Sequence, residues 1–238
     1  SGRWRGATFD HDKEPWSNKA VRQAIAHAMD REKIVKSLLE GYGTPTHQAA
    51  NVGWWSDPTL QVYEYSPEKA KAKLAEAGYP DGLTFPFWCQ ADNFGIQQCE
   101  VYQALLSEVG INFDIQLVPP SDFWGDIVLD KMNAWPDWSF PRGDADPDLR
   151  RRLHSKGNFQ VVGYSNPKID ALFEEAASEF DIPKARKMYI EIQQMATEDV
   201  VNLPLWREQL FAGLSNEVQN WVFWGDTLLR FRDVWLKQ

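Results

Sequence analysis

Asp144-Ala145-Asp146-Pro147-Asp148 sets three carboxylates at alternate positions, which is how a calcium-binding loop begins. Such a loop would continue with a glycine at 149 and a bidentate glutamate at 155. The chain has Leu149 and Ser155 there, and Pro147 removes a backbone donor, so calcium is not expected. The four histidines, His11, His27, His47 and His154, are scattered and fit no metal-ligand spacing. Nucleophile elbows (Gly-x-Ser-x-Gly), phosphate loops (Gly-x-x-x-x-Gly-Lys) and dinucleotide turns (Gly-x-Gly-x-x-Gly) are missing from the sequence. Pairs of acids that would suit glycoside hydrolysis occur in any acidic chain and carry little weight here. Cys89 and Cys99 either close a short loop as a disulfide or are two separate buried thiols; two cysteines exclude a cysteine-rich zinc site.

Tryptophan is the compositional oddity. There are 12 in 238 residues, mostly beside Pro, Gly, Asp or another Trp. An indole presents a large apolar face with one polar tip, so some of the 12 are expected to line a binding surface and the rest to fill a core. The net charge of −9 repels phosphate backbones, and the basic run Arg150-Arg151-Arg152 is expected to pair with Asp144, Asp146 and Asp148. Nucleic acid is therefore not an expected partner, and no cofactor is expected. At 43% hydrophobic and 25% charged the chain is long and apolar enough to bury a core, while no apolar run reaches the ~18 residues of a membrane-spanning helix.

The elements that must position these residues read as alternating helices and strands. Apolar spacing from Val21 to Leu39 predicts a helix over 17–40 capped by Ser17 and stopped at Gly41 and Gly43. The loop through Trp54-Trp55 is too long and aromatic for a plain connector. Ser66-Pro67-Glu68 opens a helix that ends before Gly78. Strand 83–89, helix 95–109 and strand 111–117 form a unit whose two strands must run parallel. A short helix from Ser121 to about Met132, a strand over 134–140, helices opened by Pro167 and Pro183, short strands over 201–206 and 210–214, and a last amphipathic helix over 224–236 complete the reading.

Three stretches carry a resemblance. Phe9 with Pro15-Trp16-Ser17, Val21-Arg22-Gln23-Ala24-Ile25 and Ala28-Met29-Asp30-Arg31-Glu32 is the first. Tyr65-Ser66-Pro67-Glu68-Lys69 through Ala77-Gly78-Tyr79-Pro80-Asp81-Gly82 is the second, and Gly163-Tyr164-Ser165-Asn166-Pro167 with Ile169-Asp170 is the third. Together they resemble the bacterial extracellular solute-binding proteins of family 5, which include dipeptide-, oligopeptide- and nickel-binding proteins of ABC importers. The resemblance implies an α/β, periplasmic-binding-protein-like lobe with a mixed sheet flanked by helices and a C-terminal crossing segment. Members are about twice this long, so it also implies that residues 1–220 are the second large lobe of a clamshell. Residues 221–238 then resemble the segment that returns to complete the first lobe.

By the same resemblance the protein is not an enzyme, works in the periplasm or outside the cell, and has as partners a peptide or similar small solute, an N-terminal lobe and a membrane permease. A signal peptide is not part of this chain. Trp124, in Ser121-Asp122-Phe123-Trp124-Gly125-Asp126, resembles the Trp that lines the ligand pocket. Trp138 to Asp148 resembles the stretch that holds an acid for a peptide's amino terminus. Here the pattern departs, with Phe140-Pro141-Arg142-Gly143-Asp144 inserted, so the anchor is Asp144 for a cationic ligand end or Arg142 for an anionic one. Asp10 and Ser66 stand where Asn and Asp are usual. Asn93 and Phe94, opening a helix, are expected to face the same cleft, and Trp124, Trp138 and Asp144 to share one concavity. The rival readings are a Trp-lined carbohydrate-binding module or glycan-acting enzyme, and an isolated scaffold fragment without a ligand.

Overall fold

The computed structural model describes residues 3–49, 53–57, 59–60, 63–125, 132–139, 144–157, 163–222 and 230–237. Its centre is a four-stranded antiparallel sheet in the order β2-β6-β1-β5, formed by β1 (Trp4–Phe9), β2 (Gly43–Pro45), β5 (Ala134–Ser139) and β6 (Asn202–Glu208). β1 lies in the middle and is buried along nearly its whole length, so it shows none of the alternation by which a half-exposed strand announces itself. Between Arg5 and Gly6 its register against β6 slips. Gly6 is the residue that permits it, because a Cβ there would lie 1.8 Å from the Leu203 carbonyl oxygen.

The expected strand-helix-strand unit is present. β3 (Leu83–Gln90) and β4 (Ile111–Val118) pair in parallel across α4 (Asn93–Ser107), as a helical crossover requires. Phe85, Phe87 and Cys89 alternate inward on β3, and Phe87 stacks on Phe113 at 4.2 Å. Parallel and antiparallel pairings thus both occur, but in separate sheets rather than within one.

The helix expected over 17–40 is two helices, α1 (Lys19–Ala28) and α2 (Arg31–Leu39). Asp30 breaks the run: it is extended and its side chain accepts from Lys33 N, capping α2. Asn18, not Ser17, caps α1. The break lets the buried Arg31 guanidinium reach the carbonyls of Thr46 and Tyr63, and burial holds it down to about 10. α3 (Pro67–Glu76) starts on the Ser66 cap as expected.

On the other side of the sheet stand α5 (Ala145–Leu153), α6 (Pro167–Ser178) and α7 (Ile182–Glu198), capped by Asp144, Asn166 and Asp181. α5 corrects the reading of the arginine run. A helix turns successive side chains by about 100°, so the three arginines face different partners. Arg150 pairs with Asp146 and Glu174, Arg151 donates to Ser139 Oγ, and Arg152 pairs with Asp137. Two large apolar clusters result. One joins α1–α4 with both larger sheets, and the other joins α5–α7 with Trp55.

Three further expectations change. Residues 121–125 form turns rather than a helix start, and 126–131 lie outside the described residues. Leu210–Leu214 forms no strand and is largely exposed; among the described residues no strand pairs with it. Of the expected C-terminal helix, 224–229 lie outside the described residues, and the rest is not helical: a turn at 232–233 leads into β8 (Trp235–Leu236), which pairs with β7 (Val218–Gln219). Among the described residues no helix is long and apolar enough to cross a membrane, and no group of three His, Cys, Asp or Glu is placed to hold a metal.

Candidate functional site

The carboxyl ends of β3, β4, β5 and β6 and the start of β1 meet at one edge of the fold. Open α/β structures bind ligands at such an edge, because loops and helix starts converge there. The turn after β4 brings Phe123 and Trp124. Phe123 is fully buried against Met132 and Trp135 and acts as a wedge under Trp124, whose ring it meets edge-on at 5.0 Å. Trp124 is left 43% exposed, and its ring meets Trp138 at 4.9 Å and 85°.

Strand register supplies the cations. Arg5 sits opposite Trp138 across the β1–β5 pair. Its guanidinium lies 5.2 Å from the Trp138 ring centre and 4.7 Å from that of Phe94, and Arg3 approaches the same indole at 5.5 Å. Both arginines pair with Glu208 at the end of β6, Arg3 at 3.2 Å. Burial is the main influence on Arg3, lowering its pKa, while Glu208 opposes and Arg5 reinforces that shift.

α4 closes the site from below. Asp92 caps it by accepting from Gly95 N at 2.7 Å, which exposes Asn93 and lays Phe94 under Arg5. Gly95 is needed for this approach, since a Cβ would stand 2.5 Å from the Gln90 carbonyl oxygen. A disulfide between Cys89 and Cys99 fastens the helix to β3. The outcome is a narrow recess lined by Arg5, Gln90, Phe94, Gln98, Phe123 and Trp138, with Trp124 on its rim. Flat apolar faces beside guanidinium groups suit a small solute with a planar or apolar part and a carboxylate.

Trp124, Trp138 and Phe94 are therefore gathered at one place, with Asn93 beside them. Asp144 opens α5. Its side chain accepts from Ala145 N at 2.7 Å as the cap of α5. It lies in the field of Tyr189, whose hydroxyl burial pushes up to about 12, helped by Asp146 and Asp144. Phe140 and Arg142 lie outside the described residues. Arg3, Arg5 and Glu208 were not legible in the sequence, because their approach depends on β1 pairing with β6 across 203 positions.

A family model described as bacterial extracellular solute-binding proteins, family 5 middle, matches residues 1–160. The chain is 30% identical over 223 residues to heme-binding protein A of Haemophilus influenzae, an alignment covering 90% of this chain and 41% of that protein. It is 26% identical over 236 residues to a glutathione-binding protein of Salmonella choleraesuis, with 94% and 46% covered. The fold superposes on a dipeptide-binding protein from Pseudoalteromonas sp. SM9913, solved with Met-Leu, at a TM-score of 0.87 and 22% identity, covering 99% of this chain and 48% of that one. The chain spans about half the length of the relatives it matches. With that match reaching from β1 through α5, the chain belongs to the bacterial extracellular solute-binding proteins of family 5.

Proposed function

We propose that this chain is the second large lobe of a two-lobed solute-binding protein that works outside the cytoplasm and delivers its solute to an ABC permease. The observation that carries the reading is the half-exposed Trp124–Trp138 pair with Arg3, Arg5 and Phe94 around it, at an edge where strand ends converge. The solute is a peptide or a similar small molecule, with a carboxylate toward the arginines and a flat or apolar part against the indoles. The names of relatives that bind heme, glutathione and a dipeptide fit this class, since all three carry carboxylates. Closure of a partner lobe over the recess would complete the burial and form the surface that the permease reads.

Two features support the division into lobes. β1 begins and β6 ends side by side at the same edge, with Glu208 N bonded to Arg3 O at 3.1 Å, an arrangement that suits paired connections to another lobe. Beyond Glu208 the chain exposes Phe211, Leu214, Phe231, Trp235 and Leu236, a run of apolar side chains that suits burial in the first lobe.

The test is a titration followed by tryptophan fluorescence, using dipeptides, glutathione and heme, with this chain alone and with the N-terminal half restored. The two-lobed protein should bind one of these tightly, Trp124→Ala should weaken it about tenfold or more, near 1.4 kcal/mol, and the lone chain should bind poorly. Unchanged affinity in Trp124→Ala would remove the cluster from the site, and submicromolar binding by the lone chain would overturn the one-lobe reading.

A further inference from the structure

We infer that one buried water molecule is a built part of this protein and positions the loop that carries Trp54 and Trp55. A small cavity of about 10 Å³ lies between α5, α7 and β6, lined by Gln48, Leu149, Leu153, Gln193, Asn202 and Pro204. That is the room of a single water. Gln48, Gln193 and Asn202 are 4%, 4% and 7% exposed, so bulk water does not reach them.

Each of the three turns one polar atom toward no partner: Gln48 Oε1, Gln193 Oε1 and Asn202 Nδ2. The orientation of both glutamines is fixed by their other ends. Gln48 Nε2 donates to the carbonyls of Asp57 and Leu60, and Gln193 Nε2 to those of Trp55 and Tyr189; a carbonyl cannot be served by an amide oxygen, so neither amide can be turned over. With Asn202 turned so that Nδ2 is its unpartnered atom, the cavity presents two acceptors and one donor. A water molecule has the complementary set, two hydrogens for Gln48 and Gln193 and a lone pair for Asn202, and buried waters typically make about three such bonds. An ammonium ion or metal ion would meet the Asn202 N–H with the wrong sign, and an apolar guest would leave all three unserved.

The site matters because of what the two glutamines hold. Between them they bind the carbonyls of Trp55, Asp57 and Leu60, in a stretch whose described residues, 53–57 and 59–60, form no helix or strand. Trp55 is buried at 3% while Trp54 stands 39% exposed and edge-on to Tyr189. The water ties both glutamines to β6, and with Arg186, which donates to the Trp54 and Ser56 carbonyls, it sets where Trp54 is presented. Gln48, Gln193 and Asn202 are positioning residues.

Water contacts are read by NMR on the ¹⁵N-labelled chain. The Asn202 side-chain amide should show cross-peaks to water whose NOE and ROE signs are opposite, the mark of a long-lived bound molecule. In Asn202→Ala, amides of 53–57 and 59–60 should exchange with deuterium at least tenfold faster, while those of β3 and β4 stay unchanged. Absence of a long-lived water in the parent chain overturns the site. A water that is present while loop exchange is unaltered in the variant, or while β3 accelerates equally, overturns the positioning role. Should Asn202→Ala fail to fold, the parent spectrum alone decides whether the water is there.

Discussion

Asp137 is the residue whose loss should be felt most widely. Its carboxylate is 6% exposed and accepts from Thr8 Oγ1 at 2.7 Å, from Trp138 N at 2.7 Å and from Arg152 at 2.6 and 3.3 Å. The Arg152 side chain, 11% exposed, also donates to the Trp138 carbonyl and lies over the Trp4 ring. In Asp137→Ala the guanidinium stays buried without its counter-charge, a change that costs about 3–5 kcal/mol. For a chain of this size each kcal/mol moves Tm by about 2–4 °C, so a drop of about 6–20 °C is expected. Urea unfolding followed by far-ultraviolet circular dichroism measures it. Removing both charges in Asp137→Leu with Arg152→Leu should recover at least half of the loss, because the desolvated cation goes with its partner. A single-variant cost below about 1 kcal/mol, within the range of an exposed ion pair, or a double variant no more stable than the single one, would refute the argument.

Other expectations are simpler to check. Burial, assisted by Arg22, pushes His11 down to about 4, and burial assisted by Arg31 does the same to His47, against an ordinary 6.5. The unfolded chain therefore takes up these protons first as pH falls, so the stability that the neutral rings contribute is whole above pH 6.5 and is lost on the way down to about 4. Urea midpoints should fall over that window, and His11→Phe should flatten the decline; an identical slope in the variant would count against it. Reducing the Cys89–Cys99 bond, which closes a 10-position separation, should cost about 3 kcal/mol by chain entropy, seen as a lower melting temperature in dithiothreitol. Asn166→Ala removes a cap that accepts from Lys168 N and Ile169 N and should cost about 1 kcal/mol; no measurable change would show that α6 does not depend on it.

What the sequence disclosed follows from the range over which each feature is decided. α3 and α6 were legible because Ser66-Pro67 and Asn166-Pro167 are local instructions, and the β3-α4-β4 unit because its alternation and its crossover are local too. β1 was not, since burial on both faces erases alternation, and the split between α1 and α2 was hidden because Asp30 caps without a glycine or proline to mark it. α5 was obscured by its own acids: Asp144 is a cap and Asp146 an ion-pair partner one turn before Arg150, so carboxylates that imitate a calcium loop serve a helix. At the site, Trp124, Trp138 and Phe94 came from the family resemblance, while tryptophan content by itself said only that some indoles line a surface. The arginines that frame them arrive through sheet pairing, which no local pattern encodes.

The separation of the two large apolar clusters has a consequence for how such a protein diversifies. Substitutions that loosen or repack α6 against α7 fall inside one cluster, while the indoles and guanidiniums of the recess rest on the other elements. α5 is one link between the halves, through Arg151 on Ser139 and Arg152 on Asp137, both next to Trp138; the end of α7 is another, through Arg22 on the Asp199 carbonyl and Tyr63 on that of Glu198. A change in α6 is therefore felt mainly within its own cluster, whereas a change at Arg151 or Arg152 of α5 acts on the residues that flank Trp138.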